Sequence, residues 1–137
     1  MMRLVLIGLI AGTLAACAGM GASGSLEERA QARWDALLGG DWERAYEFLS
    51  PGARMAMSEE AFRELMANRT IQWTGVEVAE VGPCDAEVGS CDVTANISYR
   101  VSRGVPGLRK PIELTKGVTE SWIKVDGTWY FVPDRLR

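Results

Sequence analysis

Residues 120–132 read Glu120-Ser121-Trp122-Ile123-Lys124-Val125-Asp126-Gly127-Thr128-Trp129-Tyr130-Phe131-Val132. An Asp-Gly pair between two runs of β-branched and aromatic residues is the signature of a two-residue type I′ hairpin. Such a turn pairs Val125 with Thr128, which sets Ile123 opposite Tyr130 and Trp122 opposite Phe131. Alternation then places Glu120, Trp122, Lys124, Trp129 and Phe131 on one face and Ile123, Val125, Tyr130 and Val132 on the other. Both faces carry large apolar groups, so periodicity leaves open which of them meets the rest of the fold.

Upstream, the period of two continues. Val93, Ala95, Ile97, Tyr99 and Val101 alternate strictly with Thr94, Asn96, Ser98 and Arg100, which marks a half-buried strand. Ile71 and Trp73 alternate, as do Val76 and Val78, with a slip of phase near Gly75 that predicts a β-bulge. A strand from about Ile112 leads into the hairpin. Gly104, Pro106 and Gly107 mark the turn before it, with Arg100, Arg103, Arg109 and Lys110 clustered around that turn. Those four cations read as a solvated hairpin tip, with contact to anionic lipid as the alternative. Cys84 and Cys91 fall in the connection between the first two strands. In an oxidising compartment such a pair of cysteines reads as a disulfide closing a short loop, worth about 2.5 kcal/mol by chain entropy. A zinc site is a poor alternative without histidine, and Asp85, Glu87 and Asp92 do not match a calcium loop.

Further upstream the period is helical. Ser25-Leu26-Glu27-Glu28 is a capping box, followed by Leu26, Ala30, Trp34, Leu37 and Leu38 on one face. Gly39-Gly40 ends that helix. Asp41 caps a second, with the stripe Trp42, Ala45, Tyr46 and Leu49, and Ser50-Pro51-Gly52 stops it. Ser58-Glu59-Glu60 opens a third, with Phe62, Leu65 and Met66 as its stripe and acids at the positive end of the dipole. Three helices followed by about four antiparallel strands predict an α+β domain, residues 25–137, with the helices packed on one face of a curved sheet.

The N-terminus is different in kind. Met1-Met2-Arg3 is a short positive segment, and Leu4 to Ala16 is an apolar run too short to span a bilayer, which takes about 20 residues. It closes on Leu14-Ala15-Ala16-Cys17. This resembles the lipobox of bacterial lipoproteins, which implies a signal peptide over residues 1–16, cleavage before Cys17, and diacylglycerol (with palmitate-type acyl chains) on its thiol. Ordinary cleavage at Ala16-Cys17-Ala18, releasing a secreted protein, is the alternative. Ala18 stands where an Asp tends to mean inner-membrane retention, so the resemblance implies the outer membrane facing the periplasm in a Gram-negative envelope. Residues 17–24 are small and Gly-rich, a tether of a couple of nanometres.

The run Arg33-Trp34-Asp35-Ala36-Leu37-Leu38-Gly39-Gly40-Asp41-Trp42, continuing through Ala45-Tyr46 to Leu49-Ser50-Pro51, is similar to the helical opening of nuclear transport factor 2-like domains. The close from Glu120 to Pro133 is similar to the end of those domains. The resemblance implies a cone of sheet around helices, with a pocket inside. It implies no single activity, because that fold carries isomerases, dehydratases, ligand binders and non-catalytic modules.

Composition limits the chemistry. The chain holds 15 basic and 18 acidic residues and no histidine. Removal of residues 1–16 takes away Arg3, leaving a domain with no general attraction to nucleic acid. The usual neutral-pH proton shuttle is missing, and no metal or cofactor is called for. If the cone were catalytic, a buried carboxyl would have to act as base. Glu120, two residues before Trp122, is the candidate, with Tyr99 as a donor. The structural alternative pairs Glu120 with Lys116 or Lys124 and packs Tyr99 in the core. Trp34, Tyr46, Trp73, Trp122 and Phe131 are candidates to line a ligand cavity, although aromatics at this spacing are more often core. The sequence therefore favours a lipid-anchored, non-enzymatic envelope module that binds a small apolar ligand or an envelope protein. Its rival is a cofactor-free isomerase or dehydratase. A homodimer through the outer sheet face is a further arrangement the pattern allows.

Overall fold

The computed structural model describes residues 24–101, 107 and 109–134. The lipobox with Cys17, most of the tether, and Arg103 lie outside them.

The first helix, α1 (Leu26–Gly39), begins at the expected capping box. The Ser25 hydroxyl accepts from the Glu28 amide at 3.2 Å, and the Glu28 carboxylate accepts from the Ser25 amide at 2.9 Å. It ends at Gly40, whose φ of 73° is the left-handed cap that glycine adopts without strain. Asp41 caps α2 (Trp42–Glu47) by accepting from the Arg44 amide.

The helix count is four rather than three. The second helix ends at Glu47, capped by Phe48, before the expected Leu49, and Ser50-Pro51-Gly52 starts a further helix, α3 (Pro51–Ala56). The Ser50 hydroxyl accepts from the Ala53 amide at 3.2 Å. Proline at the first helical position gives up an N–H that would have no intrahelical partner anyway. Ser58 then caps α4 (Glu59–Ala67), whose Phe62 is buried.

Four strands, β1 (Gln72–Asp85), β2 (Ser90–Val101), β3 (Ile112–Val125) and β4 (Thr128–Val132), form one antiparallel meander in the order β1-β2-β3-β4. Asp126 and Gly127 have φ of 48° and 80°, and the pairs Val125–Thr128, Ile123–Tyr130 and Trp122–Phe131 are those the turn requires. The bulge near Gly75 is present between Trp73 and Gly75, and two more interrupt β1 farther on. The disulfide joins Cys84 to Cys91. The cysteines are not in the connecting loop, because β1 and β2 run past it to Asp85 and Ser90. They face each other as cross-strand partners.

The face carrying Glu120 and Trp122 meets the helices. Trp122, Val93 and Ala95 have no exposed surface, and they pack with Leu26, Ala30, Trp34, Leu37 and Leu49 in two adjoining core clusters. The outer face is polar over β2 and the middle of β3, where Ser98 bonds Thr115 and Ser121 donates to Asp92.

Two local devices tie the layers together. Phe131 donates its amide to the Phe48 carbonyl and accepts from the Ser50 amide, both at 2.8 Å. This short parallel bridge pins the α2–α3 junction against the edge of β4. At the other edge, the Gln31 side-chain amide donates to the Val76 carbonyl at 3.3 Å and accepts from the Val78 amide at 3.2 Å. It satisfies strand-edge groups that would otherwise invite another chain.

Candidate functional site

Arg33 lies on the apolar stripe of α1, in line with Leu26, Ala30 and Leu37. Burying a guanidinium there requires a counter-charge, since an unpaired buried charge is strongly unfavourable. Glu120, on the inward face of β3, supplies it. Arg33 Nη1 donates to Glu120 Oε1 at 2.7 Å, with side-chain exposures of 9% and 5%. The second carboxylate oxygen accepts from Trp122 Nε1 at 3.4 Å. The guanidinium carbon sits 3.7 Å from the centroid of the Phe131 ring and 5.0 Å from that of Trp34. Burial pushes the Arg33 guanidinium below its ordinary value, and the Glu120 charge pulls it back.

The expected partners of Glu120, Lys116 and Lys124, are therefore replaced by an arginine 87 residues away in the chain. Register explains why. Lys116 is opposite Ile97 and exposed, and Lys124 reaches outward along Trp129, its ammonium 5.5 Å from the ring centroid.

Next to this ion pair the helices leave a cavity of about 360 Å³. Its apolar wall comes from α3 (Ala53), α4 (Phe62, Met66), Met57 between them, Leu49 and Phe131; Arg33 is its buried polar group, and Pro133 and Asp134 complete it. A cavity of this size, apolar with a few fixed polar groups, is the usual form of a small-molecule site.

Several expected site residues are elsewhere. Glu120 does not line the cavity; its bonding partner Arg33 does. Tyr99 is half-buried between its cross-strand neighbours Trp73 and Leu114. It is six positions along β2 from Val93, the partner of Glu120, or roughly 20 Å at strand rise. Glu120 and Tyr99 are thus too far apart to act on one reacting atom. Trp34 and Trp122 are buried core, and Trp73 meets Trp34 edge to face at 5.0 Å. Tyr46 is structural: its hydroxyl donates to the Met57 carbonyl at 2.8 Å and closes the end of α3. Of the five expected lining aromatics, Phe131 alone is on the cavity wall. Arg100 pairs loosely with Glu113 at 3.8 Å, and Arg109 and Lys110 are exposed. No cluster of three metal-ligating side chains occurs among the described residues.

Solved structures share this architecture, among them the following three. A SEC-C motif containing protein from Psychrobacter arcticus superposes with a TM-score of 0.63 at 15% identity, over 84% of this chain and 62% of that protein. This chain therefore spans less than two thirds of that relative's length. A SEC-C motif containing protein from Rhodopseudomonas palustris gives 0.56 at 20% identity, over 82% and 77%. A candidate dehydratase of the NTF2-like family from Streptomyces avermitilis gives 0.51 at 14% identity, over 77% and 92%. The fold is NTF2-like. No family model and no curated protein matches the sequence. At these identities the likeness concerns the path of the chain and not its chemistry. Within that shared path, the position of the Arg33–Glu120 pair beside an apolar cavity is a property of this chain's own residues.

Proposed function

We propose that this protein is a lipid-anchored module of the bacterial envelope that binds a small, mainly apolar ligand and does no chemistry on it. The cavity beside Arg33 carries the proposal. Its wall is almost wholly aliphatic and aromatic, and its buried charge is already neutralised by Glu120. Such a site rewards shape and apolar area, at about 25 cal/mol per Å² removed from water, and asks the ligand for at most an acceptor facing the guanidinium. The isomerase or dehydratase alternative needs a base aimed into the cavity; Glu120 accepts instead from Arg33 and Trp122, which leaves Asp134 as the carboxylate on the lining. The envelope setting rests on Leu14-Ala15-Ala16-Cys17 and accords with a Cys84–Cys91 disulfide, a bond that persists in oxidising compartments.

Two experiments test this. Ala56 lines the cavity from an exposed position on α3, so Ala56→Trp places an indole at the opening. The variant should lose binding of an apolar fluorescent probe while unfolding at the parent's temperature. Probe binding that the indole leaves unchanged would refute the cavity as the site. For the anchor, Cys17→Ala should move the protein out of the membrane fraction; if it sediments with membranes as fully as the parent, lipid on Cys17 is not what holds it.

A further inference from the structure

A second cavity, of about 340 Å³, has the opposite character. Arg29, Arg44 and Arg54 reach it from α1, α2 and α3. Phe48 and Tyr130 give it a flat aromatic wall, and Glu47 is the acidic residue on its lining. Arg29 is held in place: its Nε donates to the Trp129 carbonyl at 2.8 Å, and its guanidinium carbon is 4.9 Å from the Phe48 ring centroid and 5.7 Å from that of Tyr130. Arg54 approaches the same Tyr130 ring at 5.6 Å. Among the described residues, none of these three guanidiniums has a carboxylate within 4.0 Å. Arg29 and Arg44 also border a neighbouring cavity whose lining carries Glu27, Glu28 and Asp35. Glu28 accepts from the Ser25 amide, and Asp35 accepts from Gln31.

Three like charges drawn from three helices repel one another, and Glu47 is the carboxylate on the lining that offsets them in part. An arginine that only shelters apolar surface sends its head to water or to a carboxylate. Here one head is fixed by a backbone carbonyl and aromatic rings before any ligand arrives, which reduces the ordering cost of binding. We propose that this cavity is a binding site for a phosphate-bearing anion. The count of acceptors favours phosphate over carboxylate. A carboxylate offers two oxygens and is filled by one or two guanidinium forks, whereas a phosphate ester presents three or four and can engage all three. The volume exceeds a bare phosphate and leaves room for a small group esterified to it, lying against Tyr130.

The ester has two possible sources. One is a soluble phosphate ester. The other is the headgroup of an anionic phospholipid, which depends on the proposed anchor: Arg29 lies four residues past Ser25, where the tether from Cys17 meets α1. Polybasic clusters near a bilayer are drawn to such headgroups.

The test uses the full chain in a neutral detergent, titrated by calorimetry with glycerol 3-phosphate, inorganic phosphate and acetate. Saturable one-to-one binding of glycerol 3-phosphate is expected, at least about tenfold tighter than acetate, and weakened at least about tenfold in Arg44→Gln/Arg54→Gln. Arg44 is exposed, so Arg44→Gln alone gives the same reading, with a smaller loss, should the double variant fail to fold. Mixed micelles of phosphatidylglycerol that displace glycerol 3-phosphate, where phosphatidylcholine does not, assign the site to a lipid headgroup. No displacement assigns it to a soluble ester. Absence of saturable binding at millimolar phosphate, or binding that the arginine changes leave intact, overturns the proposal. Neither result touches the apolar cavity, whose lining residues are different.

Discussion

Arg29 and Arg33 are one turn apart on the same helix and meet opposite fates. Arg33 is buried, bonded to Glu120, and stacked on Phe131 beside an apolar cavity. Arg29 is half-buried, bonded to a backbone carbonyl, and faces a cavity with two further arginines. The difference is a matter of solvent. In the interior, where the effective dielectric is low, a guanidinium needs a carboxylate, so Arg33 drew an inward-facing acid from a distant strand. Near the surface water screens repulsion among guanidiniums, and a cluster with net positive charge can persist. Two successive turns of α1 therefore border two cavities, one whose buried guanidinium is already paired and one with three arginines on its lining.

The largest expected effect comes from breaking the interior pair. Glu120→Ala leaves Arg33 buried and uncompensated, and should cost about 3–5 kcal/mol by denaturant unfolding. A loss below about 1 kcal/mol would mean that Arg33 reaches water. Arg33→Met with Glu120→Leu sharpens the comparison, because it removes both charges together. It should restore most of the stability lost in the single change, or exceed the parent by about 1 kcal/mol. Ser50→Ala tests the helix that serves both cavities, since α3 puts Ala53 and Ala56 on the lining of one and Arg54 on that of the other. Loss of this cap should cost about 1 kcal/mol and weaken ligand binding at both sites. The smallest effect belongs to Arg44→Gln, at an exposed position. Its unfolding free energy should stay within about 0.5 kcal/mol of the parent, as surface changes usually do, while binding of phosphate esters falls.

Much of the fold was legible because its signals are local. Asp126-Gly127 set the register of the last hairpin, Ser25 with Glu28 set the start of α1, and the alternation from Val93 to Ile97 marked a buried face. The same alternation overreached at Tyr99 and Val101. There the strands outrun the helices, and residues of the inward-facing register are only half-covered; Ile112 and Leu114 beside them are exposed. Ser50-Pro51-Gly52 misled for a different reason, since a Ser-Pro pair that reads as a stop is also how a helix starts.

The candidate sites were the least legible part. A usable signal for Arg33 did exist, because a cation in line with Leu26, Ala30 and Leu37 on an apolar helical stripe demands a buried partner. Its partner could not be named, because local spacing favoured lysines four residues from Glu120 over an arginine on another element. For the aromatics, helical and strand periods report burial but not whether a ring meets another side chain or empty space. Phe131 borders the cavity while Trp122, its cross-strand partner on the same face, is sealed in the core.

By itself the sequence determined the class of fold, the strand register at the last hairpin, the cysteine pair and the absence of histidine chemistry. Each follows from residues adjacent in the chain or from composition. Tertiary structure alone decided which sheet face is inside, that Glu120 answers Arg33, and that arginines from three helices surround one cavity. Those outcomes depend on which distant elements pack together, and that is set by the shape and charge balance of the whole domain and not by any one stretch of it.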